Sequence, residues 1–271
     1  MTDVITSFRN PKVKYLRSLR QRKVREREGR FLIEGIRAVE EALTCGVPVE
    51  TLIYAPSLWI SERARALVEQ IEPARHLVLS DELFRSLSDR EDPQGIAALV
   101  RIEDHPLTVI RPSDNLLVIV AYQLRDPGNL GAIIRTADAA GASGVVVVEP
   151  SVDLYDPQTV RATMGSLFAL PVVRIETETA LFDWCGALKA SGLPVLVVAS
   201  SARGTRLHFE VEFHGPVVLL VGNERYGLPD SVRQKADVLV RLPMFGRATS
   251  LNVSAATAAL VYEIIRQRRE K

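Results

Sequence analysis

The chain has 271 residues, 47% of them apolar and 25% charged, with 16 Gly, 15 Pro and a formal net charge of +1. That length suffices for one or two cores, and the composition excludes collagenous, fibrous and largely disordered chains. The longest apolar runs, such as Leu116 to Ala121 and Val145 to Val148, fall far short of the roughly 18–20 residues that span a bilayer, so no membrane association is expected.

Met1 to Asn10 shows no apolar stretch behind a basic start, so no secretory leader is read and the expected location is cytoplasmic. Cys45 and Cys185 stand alone and His76, His105, His208 and His214 are scattered. Neither a disulfide framework nor a metal site is expected.

The small net charge hides an asymmetry. Residues 1–30 hold ten basic side chains against three acids, whereas the remainder holds 24 basic and 30 acidic residues. Clustered Lys and Arg displace condensed counterions from a polyanion, so the front segment reads as a nucleic-acid arm on a nearly neutral body. A solvated helix face is the plain alternative.

Apolar residues at 13, 16, 19 and 24 predict one helix over 12–27, followed by a strand at Phe31-Leu-Ile-Glu-Gly. Helices are expected at 36–45, 61–71 and 81–87, and strands at 49–54, 76–79 and 95–101. Pro106, Pro112 and polar neighbours then mark a boundary, giving a front domain over 1–106 and a second over 114–271. Beyond it, runs at 116–122, 145–149, 172–175, 195–199, 217–221 and 238–242 are predominantly apolar rather than alternating. Continuous hydrophobicity marks strands covered on both faces, hence an α/β fold with a mostly parallel sheet and a binding crevice beyond the strands' carboxyl ends.

Three loops at those ends carry unusual residues. After the first strand, Asn129 is placed to cap a helix ended by Gly141, and Gly131 and Arg135 share one helix face, which sets a cation near the sheet's edge. After the fifth comes Gly222-Asn-Glu-Arg-Tyr-Gly-Leu, whose Glu224 is a candidate ion-pair partner of Arg135. After the sixth, Leu242, Pro243 and Met244 form an apolar wall before Ser250 and Asn252, which open the helix predicted over 253–268 and offer an anion site at its first turn. Capped helices and polar turns account for each loop taken singly. The glycine fingerprints of dinucleotide and P-loop sites are missing, as is a nucleophile elbow.

Taken together, N-x-G-x-x-x-R at Asn129, Gly131 and Arg135, G-N-E-x-x-G-L at 222–228, and P-M-x-G-x-x-x-S-L-N-V-S at 243–254 resemble the three motifs of the SpoU (TrmH-like) branch of the SPOUT RNA methyltransferases. The basic front helix, Phe31-Leu-Ile-Glu-Gly and Gly95-Ile-Ala are similar to the small RNA substrate-binding domain often fused ahead of it, and Met164-Gly-Ser-Leu-Phe fits a further family stretch. The resemblance implies transfer of a methyl group from S-adenosyl-L-methionine to a ribose 2′-hydroxyl of RNA, ribosomal RNA in particular, on a sheet tied in a trefoil knot and paired as a homodimer.

It also implies cofactor-binding roles for Ala199, Ser200, Val221, Gly222, Leu242, Met244, Ser250, Leu251 and Asn252. Arg135 becomes the catalytic candidate, oriented by Asn129 and Asn252, with Glu224 as the second-motif carboxylate; Arg20, Arg22, Lys23 and Arg135 are the expected RNA contacts. A guanidinium keeps its proton throughout the physiological range, which favours an orienting cation over a proton acceptor. Val253, Leu260 and Ile264 form an apolar face open either to a second copy or to the chain's own core. A transfer-RNA methyltransferase, a non-catalytic RNA binder on the same fold and a nucleotide-dependent oxidoreductase are the competing readings.

Overall fold

The computed structural model describes residues 3–269. The chain divides into two compact units, one running to Glu103 and taking in Asp153–Ala169, the other holding Asp104–Val152 and everything from Leu170. By packing, therefore, Asp153–Ala169 goes with the front unit, although it lies inside the span 114–271.

The front unit begins with α1 (Pro11–Ser18) and α2 (Arg22–Glu28), then β1 (Arg30–Glu34), α3 (Ile36–Thr44), β2 (Val49–Tyr54), α4 (Glu62–Glu69), β3 (His76–Val78), α5 (Asp81–Leu87) and β4 (Ile96–Arg101). Its sheet runs β1-β4-β2-β3, antiparallel except for β2 beside β3. Val13, Leu16, Leu19, Leu83 and Phe84 fill the core beneath the first helices.

The single helix predicted over 12–27 is two helices broken at Leu19–Gln21. The break frees the carbonyls of Leu19 and Arg20, and both accept hydrogen bonds of 2.7 Å from Arg25 Nη1. The other edge of that guanidinium pairs with the Asp153 carboxylate, Nε lying 3.2 Å from Oδ2. Arg25 is only 2% exposed, so this member of the basic arm is a buried structural cation and no RNA contact. Phe31 of β1 packs its ring 4.7 Å from that of Tyr155 and 6.5 Å from that of Phe168, which seats Asp153–Ala169 within the same unit. That segment contributes α7 (Pro157–Thr163).

The second unit comprises β5 (Leu117–Tyr122), α6 (Pro127–Ala139), β6 (Gly144–Val148), β7 (Val172–Ile175), α8 (Glu178–Ala190), β8 (Leu196–Ser200), β9 (Arg206–Leu207), β10 (Val217–Val221), α9 (Asp230–Arg233), β11 (Val238–Arg241) and α10 (Val253–Arg269). Seven strands stand in the order β7-β6-β5-β10-β8-β11-β9, and every pairing between them is parallel. All residues of β5, β6 and β10 are buried, as apolar strands flanked on both faces must be.

The chain builds outward from β5 through β6 to β7, then returns to the opposite side of β5. Strand order thus reverses between β5 and β10, where open α/β sheets leave a crevice at the carboxyl ends. The loops after β5 and β10 are therefore neighbours despite about a hundred residues between them. Leu260 and Ile264 are 1% exposed, so that apolar face of α10 belongs to the chain's own core. Its exposed side carries Ala255, Ala259 and Tyr262 instead. No helix among the described residues is long and apolar enough to cross a membrane.

Candidate active site

A cleft of about 890 Å³ opens at the carboxyl ends of β8, β10 and β11. That is near the upper end of the roughly 300–1,000 Å³ typical of small-molecule sites. Ser200, Val221, Gly222, Leu242, Met244, Ser250, Leu251 and Asn252 all line it. Ala199, expected with them, does not, because it sits fully buried inside β8.

Compactness of the cleft depends on Gly222. A Cβ there would lie 2.3 Å from the carbonyl carbon of Gly227 and 2.4 Å from the nitrogen of Leu228, so the loop folds back against bare backbone. Gly222→Ala must push that loop outward. We expect a stability loss of about 1–3 kcal/mol, the usual range for overpacking, read as a lowered urea midpoint; a midpoint equal to wild type would show that the loop yields freely.

Side-chain hydrogen bonds join the three motif loops. Asn252 Nδ2 donates to Asn129 Oδ1 at 2.9 Å, and Asn129 Nδ2 donates to Glu224 Oε1 at 3.1 Å. Glu224 also accepts the backbone N–H of Arg125 and that of Asp126, each at 3.1 Å. Desolvation pushes the Glu224 carboxyl up, but the amide donors facing it prevail and hold it below the usual carboxylate range. Held in this way, the Glu224 carboxylate ties together the loops after β5 and β10.

Several expectations need correction. Asp126 caps α6 through a 2.8 Å bond to Asn129 N–H, and Asn129 lies one turn inside the helix with its side chain turned to the other loops. Asn252 Oδ1 accepts the Ser254 N–H at 2.8 Å, so the first turn of α10 is capped by the chain itself rather than left open to an anion. Arg135 is exposed on α6, is absent from the lining of this cleft and makes no ion pair with Glu224. Within the chain Asn252 bonds Asn129 and Asn129 bonds Glu224.

The cleft also contains residues that the motifs did not flag, namely Arg203, Arg225, Tyr226, Arg233, Arg241 and Thr249. Their only signal in the sequence is position, since all but Arg233, the last residue of α9, sit in a loop or strand end within or near a motif. In the front unit, Arg20 bonds the carbonyls of Leu87 and Ser88 and pairs with Asp89 at 2.8 Å, while Arg22 pairs with Glu26 at 2.7 Å. Lys23 is exposed, as are Lys12 and Lys14. Clusters of His, Cys, Asp and Glu able to hold a metal are absent among the described residues.

Comparison with known proteins agrees with this geometry. Residues 116–262 match the SpoU rRNA Methylase family, and residues 10–98 match the MRM3-like substrate binding domain. The chain is 37% identical to the 23S rRNA (uridine(2479)-2′-O)-methyltransferase of Streptomyces viridochromogenes, over 92% of this chain and 87% of that one. It is 35% identical to the 23S rRNA (guanosine(2553)-2′-O)-methyltransferase RlmP of Bacillus subtilis, over 96% and 98% of the two chains.

Among solved structures, the SpoU methyltransferase AviRb from S. viridochromogenes in complex with AdoMet superposes with a TM-score of 0.90 at 35% identity, covering 96% of this chain and 99% of that one. An AdoMet-bound rRNA methyltransferase from Sinorhizobium meliloti gives 0.84 at 38% identity, covering 97% of each. With its three motif loops hydrogen-bonded around one cleft and more than nine-tenths of its length matched by such enzymes, the chain belongs to the SpoU family of RNA 2′-O-methyltransferases.

Proposed function

We propose that this enzyme methylates a ribose 2′-hydroxyl in large-subunit ribosomal RNA, using S-adenosyl-L-methionine, in the cytoplasm and as a homodimer. The observation that carries the reading is the chain of hydrogen bonds from Asn252 through Asn129 to Glu224, which gathers three distant motifs at the rim of one cleft. Similar enzymes act on a uridine in one case and a guanosine in another, so the proposal extends to the ribose and not to the base.

The residues present fit the cofactor. Leu228, Leu242 and Met244 supply an apolar wall for a purine, and Ser200, Thr249 and Ser250 supply hydroxyls for a ribose and an amino acid. When bound, the cofactor supplies an activated sulfonium methyl, so the protein's task is alignment of the hydroxyl and management of its proton. The clasped loops hold the cleft's shape. Arg135 is the cation we assign to the hydroxyl and its adjacent phosphate; because it lies outside its own chain's cleft lining, a second copy presenting α6 would bring it to the site.

The front unit grips RNA through phosphates, as A-form and looped RNA is usually held. Arg20, Arg22 and Arg25 are committed to partners, which leaves Lys12, Lys14 and Lys23 as the better candidates. Replacing these three lysines by Ala should lower the slope of log affinity against log salt by roughly 2–3, at about 0.7–0.9 per lost phosphate contact. An unchanged slope would remove the front helices from the RNA interface.

The decisive experiment is tritium transfer from labelled cofactor to ribosomal RNA, followed by mapping of the 2′-O-methyl position. Incorporation into transfer RNA alone would refute the ribosomal reading in favour of a transfer-RNA methyltransferase, and cofactor binding without incorporation into either RNA would leave a non-catalytic RNA binder.

A further inference from the structure

Three cations in the cleft have no assigned task. Arg203 follows β8, Arg225 follows β10 and Arg241 ends β11, so three separate strand ends each deliver one guanidinium to the same rim. All three are exposed, and none forms an ion pair with a described residue. The Arg225 guanidinium carbon sits over the exposed Tyr226 ring, 5.3 Å from its centroid. By contrast Arg233, a fourth lining arginine, is neutralised by Asp230. The two carboxylates of the lining, Asp126 and Glu224, already accept backbone amides.

We propose that Arg203, Arg225 and Arg241 clamp phosphates of the RNA strand that carries the reacting ribose, and that RNA and cofactor therefore bind with positive coupling. The inference rests on the methyl-transfer reading above and adds the contacts that seat the strand. One cofactor carboxylate can satisfy at most one of these cations. Moreover, the sulfonium cofactor carries a net charge of +1, and the three guanidiniums outnumber the two lining carboxylates, so the residual positive charge opposes its entry until phosphates arrive. Guanidinium forks suit phosphate oxygens, and the exposed Tyr226 ring offers a face to an unstacked base beside them.

The chemistry then weakens the coupling. As the 2′-oxygen bonds the methyl carbon, the carbon–sulfur bond breaks, sulfur keeps the electron pair as a neutral sulfide and the hydroxyl proton passes to solvent. The product cofactor lacks the positive sulfur, so it no longer gains from the phosphates and both products leave more independently.

The test uses the full-length enzyme with a short mixed-sequence RNA, and two unreactive cofactor probes: S-adenosylhomocysteine, neutral at sulfur, and sinefungin, which carries a protonated amine in place of the sulfonium. Saturating RNA should tighten sinefungin about fivefold or more, the lower end of ordinary coupling, and S-adenosylhomocysteine less than about twofold. By reciprocity, sinefungin should tighten RNA by the same factor. In the variant carrying Arg203→Gln, Arg225→Gln and Arg241→Gln, the salt slope of RNA binding should fall by roughly 2, at about 0.7 per single-strand contact.

That variant should retain S-adenosylhomocysteine affinity and lose the sinefungin coupling. An unchanged salt slope would overturn the clamp, and loss of S-adenosylhomocysteine binding would assign these arginines to the cofactor instead. Failure of the wild-type enzyme to bind S-adenosylhomocysteine at all would overturn the methyl-transfer reading itself, a result distinct from either.

Discussion

Arg135→Ala should lower the methyl-transfer rate by about 10²–10³-fold, the usual cost of removing one preorganised donor at a reacting oxygen, while leaving S-adenosylhomocysteine affinity unchanged. Two observations make the expectation separable. Arg135 does not line its own chain's cleft, so its removal leaves that lining intact, and it makes no ion pair, so no buried partner is orphaned. Single-turnover transfer to RNA measures the chemical step directly, and a drop in that rate with an unaltered cofactor Kd identifies an interaction made mainly in the transition state.

Arg135→Lys should recover little, because a planar fork becomes a point charge that cannot hold hydroxyl and phosphate together. A variant within about threefold of wild type would show that the cation of the first motif has no part in the chemistry. Mixing Arg135→Ala with a chain defective only in its cleft adds a check on the proposed homodimer: if α6 serves the partner, the mixed population regains activity that neither parent shows.

The second large effect concerns folding. Arg25→Ala should cost about 3–5 kcal/mol, because it strands the buried Asp153 carboxylate and leaves the carbonyls of Leu19 and Arg20 without their donor. Urea denaturation followed by circular dichroism would show the loss as a lowered midpoint. A companion variant, Arg25→Met with Asp153→Leu, removes both charges and should recover a large part of it, since a buried pair often does no better than an apolar replacement. Equal midpoints for Arg25→Ala and wild type would mean that water reaches the site and the pair contributes nothing.

Arg25 also shows where sequence reading stops. It sits in a run of basic residues and looks like one more surface cation; its partner is 128 residues away, in a segment whose own pattern is an ordinary capped helix. No periodicity encodes such a pairing. The parallel sheet, by contrast, was legible because β5, β6 and β10 are apolar at every position, a pattern that few environments other than a doubly covered strand tolerate. The cleft was legible for a related reason, since loops at the carboxyl ends of such strands must meet where strand order reverses.

Which side chains meet inside that cleft was a different matter. Glu224 was matched by charge to Arg135, whereas the folded chain gives it amide donors from the neighbouring loop. Backbone N–H groups are invisible to a search for complementary charges. Asp126 and Asn129 both have the chemistry of a cap, and only the fold shows that the carboxylate caps while the amide bridges.

The excursion of Asp153–Ala169 limits how this protein can be taken apart. The chain passes between its halves three times, near residues 103, 152 and 169, so one proteolytic nick after Glu103 frees neither half. A fragment starting at Asp104 would carry a strip shaped for absent neighbours, with Asp153 deprived of its guanidinium and Tyr155 of the Phe31 ring. Exchanging front modules between enzymes of this type would thus demand a two-part graft, head and inner strip together, rather than a simple end-to-end splice.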